Sequence, residues 1–122
     1  MTIAFWCVLI AAFLPYVAFS LVKGLDPKLP RESAKQLEGV SLRAHGAHLN
    51  HFEAFAPFAA AVIIAHTVEG LSALTNWLAV AFIVVRLGYT YMYVTDRQPL
   101  RSACFSIGGL IIVAIFVQAA LH

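Results

Sequence analysis

Residues 43–58 read RAHGAHLNHFEAFAPF and continue directly into the apolar segment AAAVIIA at 59–65. An arginine, three histidines, an asparagine and a glutamate thus stand at the head of a segment that is otherwise apolar enough to enter a membrane. Polar side chains within a transmembrane helix are costly, and they normally face a bundle interior, a partner or a water-filled site. We therefore expect this stretch to carry the functional site.

The composition of the whole chain is that of a membrane protein. Of its 122 residues, 61% are hydrophobic and 11% are charged, whereas soluble domains carry about 25% charged residues. The formal net charge is +2, and no basic run suits a phosphate backbone, so we expect no nucleic acid partner. Cys7 and Cys104 lie in apolar stretches outside any Cys-x-x-Cys or Cys/His pattern, which predicts neither a disulfide nor a metal site.

Four apolar segments are long enough to cross a membrane as helices, for which about 20 residues are needed. They form a single domain of residues 1–122 and lie at about 2–22, 41–66, 76–94 and 100–121. The expected fold is therefore all-α, an integral membrane four-helix bundle. A secretory signal peptide is the weaker interpretation of the first segment, because its leading region carries no positive charge.

Two local signals refine the second segment. Ser33 with Gln36 resembles a capping box, which predicts that the second helix begins near Ala34, before it reaches the membrane. Pro57 removes a backbone hydrogen bond inside this helix and predicts a local kink.

The distribution of positive charge predicts the orientation. Seven of the eight Lys and Arg residues lie in or beside the first and third connections: Lys23, Lys28, Arg31, Lys35, Arg43, Arg97 and Arg101. The second connection and both chain ends have none. Cationic connections stay in the cytoplasm, so both termini are expected outside it.

Helical geometry divides the polar stretch into two faces. Each residue advances about 100°, so Asn50 and Glu53 share one stripe with Arg43. The three histidines of the stretch fall largely away from this stripe: His45, His48 and His51. They fan around the helix and lack the Glu-x-x-His pairing of di-metal bundles, so we expect no metal site from them.

A second polar stripe lies on the third predicted helix, where Arg86, Tyr89 and Tyr93 fall within roughly 60° of one another. If the two stripes face each other, Glu53 neutralises Arg86 within the bundle, and Asn50 supplies an orienting hydrogen bond. The alternative is that Glu53 and Arg86 form a buried structural pair, because intramembrane ionisable groups serve either purpose.

A pocket near the cytoplasmic end would then be formed by two arginines and two tyrosines: Arg43, Arg101, Tyr89 and Tyr93. Its cations and hydroxyl groups suit a small anionic ligand. An arginine beside a thiol would also stabilise the thiolate, because an opposite charge favours the ionised form.

Several motifs follow one another along the four segments: RA at 43–44, AHLNHFE at 47–53 with PF at 57–58, Arg86 with Tyr89 and Tyr93, and DRQPLRS at 96–102. In this order they resemble the MAPEG family, the membrane-associated proteins of eicosanoid and glutathione metabolism. The resemblance covers the chain from the first segment to the last.

The resemblance implies a homotrimer in a bacterial inner membrane, with glutathione as co-substrate between neighbouring subunits near the cytoplasmic face. A lipophilic small molecule would be the second substrate and would arrive through the membrane lipid. Arg101 would be the catalytic residue that stabilises the thiolate. The implied glutathione-binding residues are Arg43, Asn50, Glu53, Arg86, Tyr89, Tyr93 and Ser102.

Two departures from the family pattern bear on this expectation. Members with glutathione chemistry usually carry an arginine four residues before the asparagine, where this chain has Gly46; Arg43 would have to reach around to replace it. Phe105 stands where some members have a tyrosine. Because a fold alone does not transfer function, the alternative is a non-catalytic membrane assembly or lipid-binding protein of the same fold.

Overall fold

The computed structural model describes residues 1–122, and all of its regular elements are helices. Four long helices, α1 (Ile3–Phe19), α3 (Gly39–Glu69), α4 (Ala73–Val94) and α5 (Gln98–Ala120), surround the core, and α2 (Pro30–Ser33) is a single turn. Helices α3, α4 and α5 are long and apolar enough to cross a membrane, and α1 is apolar but shorter. The all-α prediction is confirmed.

The helices pack as a bundle in which α3 and α4 form the centre. Both α1 and α5 pack against α3 and α4, which also contact each other. Short connections at 70–72 and 95–97 make successive long helices antiparallel. One end of the bundle, which we call the cationic end, therefore gathers Arg43, Arg97 and Arg101.

Helix α1 ends at Phe19, whereas the apolar run predicted a span to residue 22. The hydroxyl of Ser20 donates to the carbonyl of Val17 at 2.6 Å, and the amides of Leu21 and Val22 bond three residues back instead of four. These bonds close the last turn, so the helix stops although the sequence remains apolar.

Helix α3 begins at Gly39 and not near Ala34. The predicted capping box is wrong, because Ser33 makes no capping bond; its hydroxyl accepts from the amide of Asp26 at 2.9 Å. The backbone becomes extended at Leu37, and Gly39 has a φ of +58°, which favours glycine and separates the short turns from α3. From there α3 continues through Pro57 to Glu69.

The remaining helix ends differ from the predicted spans by a few residues. Helix α4 begins at Ala73, before the predicted residue 76, because the hydroxyl of Ser72 accepts from the amide of Thr75 at 3.2 Å and caps it. Helix α5 begins at Gln98 with Pro99 in its first turn, where a missing amide proton costs nothing.

The core lies where all four long helices meet. Small residues such as Ala4, Ala11 and Ala61 let the helices approach closely, and the ring of Phe58 stacks on Phe82 with centroids 4.0 Å apart. Large apolar side chains such as Phe13 and Leu110 are exposed on the outside of the bundle. Large apolar side chains on the outer surface of the bundle suit a lipid environment.

Candidate functional site

A cleft of about 380 Å³ opens between α3, α4 and α5. Its polar side chains are Asn50, Glu53 and Arg86. The rest of its wall is apolar or glycine: Ala54, Pro57, Phe82, Phe105, Gly108, Gly109 and Ile112. The cleft therefore combines a charged region with an apolar region, a combination typical of sites for small amphiphilic molecules.

The guanidinium of Arg86 is the centre of the polar region. Arg86 is only 2% exposed; its Nη2 donates to Asn50 Oδ1 at 2.8 Å and lies 3.1 Å from His51 Nδ1. Its guanidinium carbon lies 4.2 Å from the centroid of the Tyr89 ring. The Nε atom is buried and has no hydrogen-bond partner. A buried donor without an acceptor is costly, so the hydrogen-bonding requirement of this N–H is unmet.

Glu53 does not neutralise Arg86, contrary to the expected ion pair. The chain has one salt bridge, between Lys35 and Glu32 at the surface. The side chain of Glu53 is exposed and lines the cleft, while the neutral groups Asn50 and His51 hold the guanidinium. Both charges of the cleft therefore remain free to meet opposite charges on a ligand.

His51 belongs to the site, although the angular argument placed it away from the stripe of Asn50. It is 3% exposed, and its two ring nitrogens contact Arg86 and Thr90. The prediction failed because Arg86 approaches α3 from α4 and reaches between positions 50 and 51. One feature of the sequence could have indicated His51: a buried arginine needs several hydrogen-bond acceptors, and His51 is the residue next to Asn50.

The other two histidines lie elsewhere. His48 Nδ1 lies 2.8 Å from the carbonyl oxygen of Pro15, and its ring packs against Phe19 of α1. His45 packs 5.9 Å from the His48 ring and makes no hydrogen bond to another side chain or to the backbone through its ring. The contacts of His48 join α3 to α1, which does not line the cleft.

A second opening of about 310 Å³ lies toward the cationic end, between α4 and α5. It is lined by Tyr89, Tyr93, Arg101, Ser102, Phe105 and Ser106. The guanidinium of Arg101 lies 4.5 Å from the centroid of the Tyr93 ring, which fixes its position by a cation–π contact. Phe105 lines both openings, so the two are neighbours.

Two of the predicted site residues have other contacts. Arg43 lines neither opening, since its Nε donates to the carbonyl oxygen of Val94 at 3.1 Å and so satisfies the C-terminal end of α4. Arg43 thus lies outside both openings, and its binding of glutathione in place of an arginine at position 46 stays a prediction. The hydroxyl of Ser102 accepts from Gln98 at 3.3 Å within the first turn of α5.

Gly46 is in contact with Tyr93. A Cβ atom built on Gly46 would lie 2.8 Å from Cζ of Tyr93, closer than side chains approach one another. Because Gly46 has no side chain, the Tyr93 ring can pack against α3. The guanidinium of Arg101 lies over the same ring. An arginine at position 46 would require Tyr93 to move.

A model of the MAPEG family matches residues 3–121 of the chain. The match spans all four long helices and therefore both openings, and it confirms the resemblance drawn from the motifs. No curated protein and no solved structure matches the chain.

Proposed function

Because the chain belongs to the MAPEG family, we propose that this integral membrane protein is a glutathione-dependent transferase or peroxidase acting on a lipophilic substrate. One observation carries the proposal: the buried guanidinium of Arg86, with its Nε unpartnered, and the exposed carboxylate of Glu53 line one cleft whose wall, apart from Asn50, is otherwise apolar or glycine. The pair of opposite, unjoined charges suits a zwitterionic ligand.

Glutathione has the groups that this cleft requires. A carboxylate of the tripeptide would accept from Arg86 Nε, and its ammonium group would meet Glu53. Charge-assisted hydrogen bonds of this kind are among the stronger ones in proteins. The thiol would then lie toward the second opening, where Arg101 would favour the thiolate.

The reaction follows from this placement. After the thiol has lost its proton to solvent, the thiolate attacks an electrophilic carbon, a carbon–sulfur bond forms and the leaving group departs with its electron pair. The apolar wall formed by Phe82, Gly108 and Ile112 would hold the lipophilic substrate. Gly109, where an added Cβ atom would meet open space, has no side chain to close this wall.

The activity is tested with purified protein in detergent, glutathione and either an aryl halide or a lipid hydroperoxide. From the halide we expect the glutathione conjugate, and from the hydroperoxide the alcohol and water as two glutathione molecules are oxidised to the disulfide, each faster than without protein. S-methylglutathione, which has no thiol, should inhibit. If neither product forms above the background rate in folded protein, the proposed activity is wrong.

The proposed assembly is a homotrimer in which other copies of the chain cover Glu53. This carboxylate is exposed near the middle of α3, among apolar residues such as Phe52 and Ala56. A charged group is costly against lipid, so the face of α3 that carries Glu53 is better suited to a neighbouring subunit. Glutathione would then lie between two subunits.

The alternative function is a non-catalytic membrane assembly or lipid-binding protein, and the contact of Gly46 with Tyr93 favours it because the site lacks one cation. Glu53→Gln separates the two functions. On the catalytic proposal, glutathione affinity falls by about tenfold or more because a charge-assisted bond is lost, while the trimer persists in light scattering. Glu38→Gln, a change outside the cleft, is the control. Loss of the trimer with unchanged affinity would favour the alternative.

The proposed orientation places the cationic end in the cytoplasm and both termini outside. Alkaline phosphatase fused after His122 is then expected to be active, because its disulfides form only outside the cytoplasm. The same enzyme fused after Arg97 should be inactive. Activity in the reverse order would overturn the orientation.

A further inference from the structure

We propose that His51 is a positioning residue, whose neutral ring holds the Arg86 guanidinium against Asn50 and keeps Nε free for the ligand. Its contribution to glutathione binding rests on the proposed function, whereas its hold on Arg86 does not. A continuous set of hydrogen bonds connects Arg86 of α4 with His51 of α3 and returns to Arg86.

The protons in this set can be assigned from the contacts. A guanidinium has only donors, so the 3.1 Å contact between Arg86 Nη2 and His51 Nδ1 makes Nδ1 the acceptor. The neutral ring then carries its proton on Nε2, which donates to Thr90 Oγ1 at 2.6 Å. The Thr90 hydroxyl donates in turn to the carbonyl oxygen of Arg86 at 3.1 Å. The chain of bonds thus begins and ends on Arg86.

Packing fixes the ring in this orientation. His51 is 3% exposed, and its ring meets Tyr89 edge-on, with centroids 6.1 Å apart and planes at 80°. Tyr89 also lies 4.2 Å from the Arg86 guanidinium carbon. His51, Tyr89 and Asn50 therefore constrain the guanidinium from three directions.

The arrangement prevents a competing ion pair. Glu53 lines the same cleft as Arg86, and an ionised carboxylate is a stronger partner for a guanidinium than a neutral acceptor. Without His51, Arg86 would lose one of its two acceptors and would turn toward Glu53. Such a pair would consume both charges that the cleft offers to a ligand.

The hold on Arg86 is tested by NMR of detergent-solubilised protein labelled with ¹⁵N-arginine, without any ligand. The Arg86 Nε–H signal, assigned by its absence in Arg86→Lys, is expected to be shifted from those of the exposed arginines and slow to exchange. In His51→Leu it should shift away from its wild-type position, because Arg86 then turns toward the Glu53 carboxylate. In His51→Asn it should return, because the amide oxygen replaces Nδ1 as acceptor.

His45→Asn is the matched control, since this histidine lies on the same helix without a side-chain partner, and the signal should not change. An unchanged signal in His51→Leu would overturn the inference. If His51→Leu does not fold, Thr90→Val removes the acceptor of Nε2–H while His51 remains. The signal should then move in the same direction by a smaller amount, and no movement would equally overturn the inference.

Calorimetry with glutathione distinguishes this inference from the proposed function. We expect His51→Leu to lower the affinity by about tenfold or more, the effect of one lost bond to a charged group, and His51→Asn to recover most of it. If the wild-type protein binds no glutathione, the proposed function fails, while the NMR result still decides the role of His51.

Discussion

Arg101→Ala is expected to abolish the ultraviolet absorbance of glutathione thiolate bound to the protein, while the proposed trimeric assembly is unchanged. Arg101 is the cation of the opening near the cationic end, and the Tyr93 ring 4.5 Å from its guanidinium carbon holds it there. An adjacent opposite charge favours the ionised form of a thiol, so its removal should reduce the thiolate fraction at neutral pH by about tenfold or more. The measurement is difference absorbance on addition of glutathione.

Arg97→Ala is the control for this experiment. Arg97 lies four residues before Arg101, is exposed and lines neither opening, so its loss should leave the thiolate signal unchanged. Arg101→Lys keeps the charge and should retain part of the signal. A full signal in Arg101→Ala would remove this arginine from the mechanism.

Arg86→Leu is expected to remove glutathione binding almost completely. The substitution eliminates the unpartnered Nε that would bind a carboxylate, and it leaves Asn50 Oδ1 and His51 Nδ1 without their donor. Removing one partner of a buried, charge-assisted contact costs about 2–5 kcal/mol, which lowers affinity by about thirtyfold or more. Glutathione should therefore no longer raise the melting temperature, as a ligand bound to the folded state does.

Arg86→Lys provides the comparison that isolates geometry from charge. Lysine keeps the positive charge but lacks the planar fork and the Nε donor, so we expect it to bind glutathione much more weakly than arginine. If Arg86→Leu still showed the glutathione-dependent rise in melting temperature, the ligand would have to bind elsewhere.

The sequence predicted the helices well because they depend on one quantity, the length of apolar runs. The run at 100–121 corresponds to α5 (Gln98–Ala120) within a few residues. Ends set by single hydrogen bonds, such as the Ser20 hydroxyl that closes α1, could not be predicted from hydrophobicity. The bond made by Ser33 could not be predicted either, since its hydroxyl accepts from an amide seven residues earlier in the chain.

Contacts between side chains on one helix could be predicted from the sequence. Arg86 and Tyr89 share a stripe of α4, and the structure places the guanidinium against the ring. Contacts between helices were less predictable, because an angular position does not say which neighbour lies opposite. This explains why His51 was assigned to the wrong face and why Glu53 was expected to pair with Arg86.

Side-chain reach was a further source of error. Arg43 shares the stripe of Asn50, but it lies near the start of α3, where its guanidinium finds the end of α4 and bonds to Val94. Gly46, known only as a departure from the family pattern, has a structural reason in the packing of Tyr93. Neither contact follows from spacing on a single helix.

The most direct test of a glutathione site at Arg86 is a calorimetric titration of glutathione into the purified protein, with Arg86→Leu titrated in parallel. We expect saturable binding to the wild-type protein and at least thirtyfold weaker binding to the variant, a loss of roughly 2 kcal/mol in binding free energy. Absence of saturable binding to the folded wild-type protein, or equal affinity in the variant, would contradict a glutathione site at Arg86.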